Sequence, residues 1–374
     1  MSYRYGASYL DPGLNTLVAP AVQYNLYSWG SNSSGQLGIG NLISYSSPKQ
    51  VGSLTNWAKL FPTGLSNSVV AAIKTDGTLW AWGFNNFGQL GFGNTNNYSS
   101  PKQVGALTNW SSLGFNYQSI LAIKTDGTLW AWGQNQFGQL GLGNTTNYSS
   151  PKQVGSLTNW LKIASGYYNC LAIKTDGTLW AWGRNNEGEL GLNNRTNYSS
   201  PKQVGALTNW LSITGGGYFS VATKTDGTLW AWGQNGYGQL GLNNRTYYSS
   251  PKQVGALTNW SIVNTGHTFS ASIKTDGTLW SWGNNGYGQL GLGNGTYYSS
   301  PKQVGALTTW KNVSCGSQFT SAIKTDGTLW MWGNNSSGQL GIGNITYYSS
   351  PKQVGSSTYW QQISANEVST FGIG

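Results

Sequence analysis

The sequence predicts an all-β fold, a seven-bladed β-propeller built from four-stranded repeats of about 50 residues. The stretch KTDGTLW occurs six times, first at Lys74 and then every 50 residues. The motif WG-x-N-x-x-G-[QE]-L-G occurs seven times, first at Trp29 and last at Trp332. A fixed period of this length indicates an array of stacked supersecondary units. The two chain ends each carry half a unit, which predicts a ring closed by pairing of the N- and C-terminal strands.

Each repeat contains at least one β-hairpin. Asp126-Gly127 separates LAIK from TLWAWG, and Asp-Gly between runs of strand-forming residues is a strong hairpin signal. Trp130 and Trp132 share one face of their strand while apolar residues occupy the other face, which predicts a central strand. PKQV and NWSSL are two further extended runs, and proline at the start of a strand suits an edge position. Four strands per unit is therefore the natural count, and a helical solenoid is excluded because no 3.6-residue periodicity is present.

The chain ends are offset relative to the repeat. LYSWG begins at Leu26 without a preceding KTDG hairpin partner, and the chain closes at FGIG, where Ile373 aligns with Ile323. We predict that residues 25–30 pair with residues 367–373, because closure removes the open sheet edges that invite aggregation. The propeller domain then spans residues 23–374.

The first 22 residues form a separate region. Residues 1–22 have no counterpart in any repeat, and Pro12, Gly13 and Pro20 interrupt regular structure. Alone, such a segment buries too little surface to offset its ordering entropy. We therefore predict an interaction arm that tethers the propeller to protein partners in an assembly.

The positive charge is distributed evenly. The net charge is +10, and charged residues make up only 8% of the chain. Each KTDG copy cancels a lysine against an aspartate, so most of the excess comes from one PKQ lysine per repeat: Lys49, Lys102, Lys152, Lys202, Lys252, Lys302 and Lys352. We expect these lysines on one rim. Because nucleic-acid sites cluster their cations, we predict weak, salt-dependent nucleic-acid binding without sequence preference.

Several classes of site are excluded by composition. No run approaches the roughly 18 apolar residues of a membrane span, and the N-terminal residues lack the apolar core of a secretory signal. A single histidine, His267, and two separated cysteines, Cys170 and Cys315, supply no metal constellation, and the glycine-rich GQLGLGN lacks the following helix and lysine of a phosphate loop. We expect no metal, no cofactor and two free thiols in core positions.

The repeated motif resembles a known family. The WG-x-N-x-x-G-Q-L-G core, the preceding DGTLW strand and the period near fifty are similar to the regulator of chromosome condensation repeat family over residues 23 to 374. The resemblance implies a seven-bladed β-propeller. It also implies interaction functions, since the founding member is an exchange factor for a small nuclear GTPase that also docks on chromatin.

This chain departs from the founding member at two points. Exchange in that protein relies on an inserted β-wedge, whereas the only length change here is three extra residues between Trp57 and Ile73. The histidine that often follows the family's Gly-x-x stretch is replaced here, by Asn169, Phe219, Phe269 and Phe319. An intracellular GTPase or chromatin regulator is therefore the alternative interpretation.

Variation among the near-identical copies marks the candidate binding residues. It concentrates in the short loop before the strand that we expect to be innermost, and at the tip that follows LWAWG. Aromatic residues at loop tips are typical of surfaces that bind sugars or proteins, although they also serve to fill a channel rim. The candidates are Tyr117, Tyr167, Tyr168, Tyr218, Phe219, His267, Arg184, Glu187, Tyr237 and Tyr287.

Acidic residues offer little for catalysis. Six of the ten are repeat aspartates at hairpin turns, where the side chain bonds its own backbone. Glu187 and Glu189, with Arg184 and Arg195, make the fourth copy unusually charged, and we interpret them as a solvated charge cluster or a partner contact.

These observations predict a non-enzymatic structural or recognition module. Low charge, near-identical repeats, a composition rich in Asn, Ser, Thr, Tyr and Gly, and the signal-free N-terminus are typical of an exposed component of a large assembly. A phage fibre, spike or decoration protein that binds a protein or a surface glycan fits all four. We therefore predict a virion location, with a cytoplasmic regulator as the alternative.

Overall fold

A computed structural model describes residues 24–61 and 68–374. Within these ranges the chain forms seven four-stranded antiparallel sheets, the blades of a β-propeller, and no helix. The predicted fold class is confirmed. The proposed arm, residues 1–22, and most of the three-residue insertion region, residues 62–67, lie outside the described residues.

The strands of each blade follow one another from the central channel outward. The innermost strands are β3 (Trp57–Leu60), β7 (Trp110–Phe115), β11 (Trp160–Ser165), β15 (Trp210–Gly215), β19 (Trp260–Thr265), β23 (Trp310–Cys315) and β27 (Gln362–Ala365). The second strands are β4 (Val69–Lys74), β8 (Ser119–Lys124), β12 (Asn169–Lys174), β16 (Phe219–Lys224), β20 (Phe269–Lys274), β24 (Phe319–Lys324) and β28 (Ser369–Ile373).

The outer half of each blade carries the two sequence motifs. The third strands are β1 (Leu26–Gly30), β5 (Leu79–Gly83), β9 (Leu129–Gly133), β13 (Leu179–Gly183), β17 (Leu229–Gly233), β21 (Leu279–Gly283) and β25 (Leu329–Gly333). The outermost strands are β2 (Tyr45–Gln50), β6 (Tyr98–Gln103), β10 (Tyr148–Gln153), β14 (Tyr198–Gln203), β18 (Tyr248–Gln253), β22 (Tyr298–Gln303) and β26 (Tyr348–Gln353).

Two local expectations need correction. The variable loop was expected to precede the innermost strand, but it follows that strand and leads into the second one, because the NW run itself lines the channel. The PKQ proline lies in the edge strand as expected, but as its fourth residue rather than at its start, since pairing extends back to the YSS residues.

The ring closes through both chain ends. β1 pairs antiparallel with β28, with Leu26 opposite Ile373 and Gly30 opposite Ser369, and the closing sheet has the order β2-β1-β28-β27. This pairing confirms the prediction for residues 25–30 and 367–373. The closing blade contributes to the core as the others do, because Phe371 and Ile373 are fully buried beside Trp57 and Trp82.

The tryptophan of each WG motif joins two adjacent blades. All seven are buried, and each indole Nε1 donates to the backbone carbonyl of residue Gln or Glu in the GQL turn of the preceding blade, for example Trp132 to Gln89 at 2.9 Å. The same bond crosses the closure, where Trp29 donates to Gln339 at 3.0 Å. The glycine that follows this turn lies against the indole, since a Cβ on Gly91 would be 2.9 Å from Trp132 Nε1. The motif therefore recurs because every blade interface needs it.

Glycine at the KTDG turn is required for two separable reasons. Gly127 has φ of +76°, and a Cβ there would be 2.1 Å from the Thr158 carbonyl oxygen of the next blade. Gly105 has a similar φ of +61° but nothing within 4 Å of its Cβ position. Comparing Gly127 with Gly105 therefore separates the effect of the close approach between blades from the effect of the backbone conformation.

We expect Gly127→Ala to be more destabilising than Gly105→Ala. Both substitutions carry the left-handed conformational cost of roughly 1–2 kcal/mol, and Gly127→Ala adds an overpacking cost of about 1–3 kcal/mol. Urea unfolding of the two variants measures the difference. Equal midpoints would show that the blade-to-blade approach at Gly127 relaxes freely.

Candidate functional site

The variable loops of six blades lie within the described residues and emerge on one face. The loop from the first to the second strand bonds the loop after the third strand in the same blade: Gln134 N donates to Gln118 O at 2.9 Å, and Arg184 N donates to Tyr168 O at 2.9 Å. The KTDG turns lie at the opposite ends of these antiparallel strands. We call this surface the loop face; it comprises residues 116–118, 166–168, 216–218, 266–268, 316–318 and 366–368 with the turns that follow the third strands.

Backbone hydrogen bonds link successive loops around the channel mouth. Tyr117 N donates to Tyr167 O at 3.0 Å, and Tyr167 N donates to Gly217 O at 3.2 Å. Gly217 N then donates to His267 O at 3.0 Å, and His267 N donates to Ser317 O at 3.2 Å. These bonds hold the loops in fixed relative positions, so side chains from separate blades form one surface.

An aromatic cluster occupies this mouth. The Tyr167 ring centroid lies 4.7 Å from His267, 5.1 Å from Tyr117 and 5.5 Å from Tyr218. Tyr168 joins through Tyr117 at 6.0 Å. Five predicted binding residues from four blades are therefore brought together, as a half-buried surface of edge-to-face and tilted rings.

Burial controls the charge of the mouth. Desolvation raises the pKa of Tyr167 and lowers the pKa of His267, so the phenol is protonated and the imidazole is neutral at pH 7. Burial also raises the pKa of Glu367. The negative charge of its carboxylate in turn raises the pKa of Tyr117 and Tyr167. The surface thus combines neutral aromatic rings and hydroxyl groups with one carboxyl group.

Arg184 forms the only ion pairs within residues 24–61 and 68–374. Its Nη1 lies 2.7 Å from Glu189 Oε1, its Nη2 lies 3.5 Å from Glu187, and its guanidinium is 4.3 Å from the centroid of Tyr218. The Glu189 side chain is 1% exposed. The interpretation of a solvated charge cluster is therefore wrong for Glu189, because this carboxylate occupies the buried site that holds a glutamine side chain in the other repeats.

The neighbouring repeats explain the substitution. Glu189 Oε2 accepts from Glu187 N at 2.8 Å, as Gln239 Oε1 accepts from Tyr237 N at 2.9 Å. In this blade Arg184 Nη1 donates to Glu189 Oε1. At the equivalent positions of the next blade Gln239 Nε2 donates to Gln234 Oε1 at 3.3 Å. An Arg–Glu pair in one blade thus lies where the next blade has a Gln–Gln pair.

We expect Arg184→Gln to be destabilising and Arg184→Gln with Glu189→Gln to recover most of the loss. Breaking a buried pair costs about 3–5 kcal/mol, whereas the double variant restores the pairing seen at Gln234 and Gln239. Burial already raises the pKa of Glu189. Removal of the arginine raises that pKa further, so the loss should be small near pH 4, where Glu189 is protonated, and grow as pH rises towards 8. Denaturant unfolding at both pH values tests this; a loss independent of pH would contradict it.

Three predicted site residues lie elsewhere. Phe219 is a correction: it begins β16, is 0% exposed and packs between blades, so it is a core residue like Phe269 and Phe319. Tyr237 and Tyr287 are exposed but stand away from the mouth, paired with Tyr297 and Tyr347 at 5.7 and 5.5 Å.

The seven PKQ lysines lie on the outermost strands and are exposed, around the circumference of the propeller. Each lies over the tyrosine that starts its own strand, as Lys102 Nζ lies 4.5 Å from the Tyr98 centroid. This position differs from that of the aromatic cluster. The lysines and the loop face are therefore separate candidate surfaces.

Sequence reasoning missed Glu367 as a site residue. Glu367 is the second residue of its loop, as Tyr117, Tyr167 and His267 are of theirs. The second residues of the six described loops are Tyr117, Tyr167, Gly217, His267, Ser317 and Glu367. Aligning the final half-repeat with the complete ones is the signal that finds it. Phe137 also extends the cluster outward, since its ring centroid lies 5.0 Å from that of Tyr168.

The described residues include few groups that bind metals. Within 24–61 and 68–374 no group of three or more His, Cys, Asp or Glu side chains is placed to hold a metal ion. Cys170 and Cys315 are buried free thiols, as expected, and burial raises the pKa of both. No helix in this part of the chain is long and apolar enough to cross a membrane.

The fold and the loop face define a recognition propeller, in which a rigid ring presents side chains from several blades on one surface. The sequence model of the RCC1-like domain matches residues 13–319 and, in a second alignment, residues 121–373. The chain belongs to the RCC1-like repeat family, which confirms the resemblance seen in the sequence.

Curated relatives match over short stretches. The human X-linked retinitis pigmentosa GTPase regulator is 32% identical over 92 residues, 25% of this chain and 9% of that protein. The ultraviolet-B receptor UVR8 of Arabidopsis thaliana is 37% identical over 87 residues, 22% of this chain and 19% of that protein. The chain thus spans less than a fifth of each relative's length.

Solved structures match over nearly the whole chain. Prp20p from Saccharomyces cerevisiae aligns with a TM-score of 0.84 and 19% identity over 95% of this chain and 92% of that one. Human WBSCR16 aligns with a TM-score of 0.82 and 20% identity over 94% of this chain and 98% of that one. At this identity the likeness establishes the fold alone.

Proposed function

We propose that this chain is a non-enzymatic recognition module that binds a protein or glycan partner through the aromatic cluster of the loop face. One observation carries the proposal: repeats that are otherwise nearly identical differ where Tyr117, Tyr167, Tyr168, Tyr218 and His267 meet. Packing does not require this variety, because the same loop position accepts glycine at 217 and serine at 317.

The chemistry of the cluster suits binding rather than catalysis. Rigid tyrosines supply large contact area at low entropic cost, together with hydroxyl groups that donate and accept hydrogen bonds. Burial keeps His267 neutral. A partner therefore meets aromatic rings and hydroxyl groups, with Arg184 and Glu187 at the edge of the surface.

We further propose that the chain is an exposed component of a large assembly, such as a phage fibre, spike or decoration protein. Low charge and a surface rich in Asn, Ser, Thr and Tyr support this location. Genes for capsid and tail proteins beside the coding sequence, and the chain in purified particles by mass spectrometry, are the expected findings. Its absence from particles and a neighbouring GTPase gene would contradict the virion location.

A regulator of a GTPase or of chromatin is the second candidate. The structural likeness to Prp20p, which binds Gsp1p and histones, favours this candidate. Nucleotide-exchange assays with a small GTPase distinguish the two candidates. Acceleration of nucleotide release would support the regulator and contradict the virion component.

The test of the aromatic cluster is a comparison of two variants. Tyr168→Ser with Tyr218→Ser removes two half-buried rings from the cluster. Tyr297→Ser with Tyr347→Ser is the control, because it removes two exposed rings that pack on Tyr237 and Tyr287 and not on the cluster. We expect the first variant to bind the purified partner at least tenfold more weakly, and the control to bind it as the parent chain does. An equal loss in both variants would contradict the assignment.

We propose that residues 1–22 act as a tether to neighbouring subunits. Limited proteolysis of the free chain should remove this segment and leave the propeller intact, because the repeats begin after it. The trimmed chain should then fail to join its assembly. Resistance to proteolysis in the free chain, or normal assembly after trimming, would contradict the tether.

A further inference from the structure

Grooves run between adjacent blades at the outer edge of the propeller. Four of them have volumes of 490, 350, 430 and 470 Å³ and are lined by equivalent residues of the repeat. In the groove beside Trp110, the preceding blade supplies Val104 and Leu107, and the following blade supplies Trp110, Trp130 and Pro151. We call these surfaces the interblade grooves.

Each interblade groove exposes an aliphatic side chain that packing does not require. The leucine of the ALTNW or SLTNW run is between 44 and 49% exposed in six repeats: Leu54, Leu107, Leu157, Leu207, Leu257 and Leu307. The tryptophan at the third-strand position, such as Trp130, is partly exposed in the same groove. An exposed apolar pair repeated at equivalent positions marks an interaction surface rather than scattered surface residues.

A lysine that forms no direct ion pair lies beside each groove tryptophan, although the aspartate of its own KTDG turn attracts it. Lys124 Nζ is 3.7 Å from the Trp130 centroid and 5.0 Å from the Trp110 centroid, and its side chain is 7% exposed. The aspartate of the same turn is engaged elsewhere, since Asp126 Oδ1 accepts from Thr128 N at 2.9 Å and from Thr128 Oγ1 at 2.6 Å. Within the described ranges the carboxylate ion pairs are those of Arg184 alone.

The net positive charge near the grooves comes from the PKQ lysine, because the KTDG aspartate balances the KTDG lysine. The PKQ lysine adds a second cation, and Lys102 lines its groove directly. Burial lowers the pKa of Lys124, and attraction to Asp126 offsets part of that shift. A carboxylate brought to this position would stabilise the charged form.

The closing blade lacks these features. Ser357 replaces the leucine, Tyr27 replaces the groove tryptophan, and no KTDG lysine precedes Tyr27. Tyr359 instead packs on Tyr27, with ring centroids 6.3 Å apart. The groove residues thus recur at six positions of the ring, four of which have the volumes given above, and the closing blade is a natural variant of them.

We propose that the six interblade grooves bind short peptide segments of a partner protein, each segment pairing an apolar side chain with a carboxylate. The apolar side chain packs between the leucine and the third-strand tryptophan. The carboxylate pairs with the lysine above that tryptophan. Backbone groups of the segment bond to the glutamine and serine that line the rim, such as Gln103 and Ser150.

The lining favours a peptide over other polyanions. Leu107, Val104 and Pro151 provide an aliphatic surface for an apolar side chain, and Gln103 and Ser150 provide hydrogen-bonding groups for a peptide backbone. Nucleic acids present one phosphate per nucleotide and are bound by tracks of cations, whereas the KTDG and PKQ lysines each recur once per blade, so those of neighbouring grooves are separated by a whole blade. A partner that carries several such segments would gain avidity from the ring of sites.

The test uses a ribosome-displayed library of random 12-residue peptides and the full chain as bait. We expect enrichment of peptides with Asp or Glu within three positions of Leu, Ile, Phe or Trp. An enriched peptide, resynthesised, should bind with close to six copies per chain by calorimetry. Its amide form, with Asn for Asp and Gln for Glu, should bind at least tenfold more weakly. Enrichment of neutral or basic peptides, or of none, would overturn the proposal.

A matched pair of variants locates the site. Serine at Leu54, Leu107, Leu157, Leu207, Leu257 and Leu307 copies the closing blade and should abolish binding. Leu161→Ser with Leu211→Ser is the control, because these leucines are 51% and 44% exposed but line no groove described above. Circular dichroism checks that both variants fold. Binding that survives the six changes, or that oligo-dT or hyaluronate displaces at physiological salt, would overturn the assignment to an acidic apolar peptide.

Discussion

Deletion of residues 367–374 is expected to lower the melting temperature by about 10 °C or more and to make the chain associate. The deletion removes β28, the second strand of the closing blade, and with it Phe371 and Ile373, both 0% exposed. Full burial of such side chains contributes roughly 1.5–3 kcal/mol each, and the backbone bonds of β28 to β1 and β27 are lost as well. A melting shift of about 2–4 °C per kcal/mol then gives the expected size.

Association follows from the same deletion. Loss of β28 leaves β1 and β27 as unpaired edges, and open edges pair with other chains. Calorimetry and light scattering of the deleted chain measure both effects. A chain that melts as the full-length protein does and stays monomeric would show that the terminal pairing does not close the ring.

The second large effect is expected for Trp232→Ala. Trp232 is 0% exposed, packs in the core between two blades and donates from Nε1 to Glu189 O of the preceding blade at 2.9 Å. Truncation of a buried tryptophan costs about 3–5 kcal/mol. Urea unfolding should therefore show a much lower midpoint for this variant.

Trp230→Ala is the control for that variant. Trp230 lies two residues earlier in β17, is only partly buried, and bonds Thr228 of its own turn rather than another blade. We expect a loss of about 1 kcal/mol, near the centre of the range for point substitutions. Equal losses at the two positions would contradict the role of the WG tryptophan in joining blades.

The sequence was sufficient for the fold because the repeat leaves few alternatives. The KTDG turn predicts a hairpin, and the WG tryptophan indicates the strand in which it lies. The half-units at Leu26 and Ile373 predict the closure. The depth of each strand was harder to infer. NW and AIK are both short apolar runs, and their order from the channel depends on how seven blades pack together, which no single repeat records.

The candidate site was predicted in part. Tyr117, Tyr167, Tyr168, Tyr218 and His267 were found from their variation, because identical repeats make any difference visible. Variation alone does not separate surface from core, so Phe219 was included although its side chain fills the space between two blades. Glu189 was misjudged for a related reason: a charged residue suggests solvent, but here Arg184 from the same loop allows its burial.

Site-specific photo-crosslinking in the source organism tests the central claim, that the loop face is the recognition surface. A benzophenone amino acid is placed at Tyr168 or Tyr218 on the loop face. The control position is Leu161, an exposed residue of β11 near the KTDG end of the blade that lines no interblade groove described above. The account predicts a discrete adduct from positions 168 and 218 and none from position 161. Adducts from position 161 alone, or equally from all three positions, would contradict it.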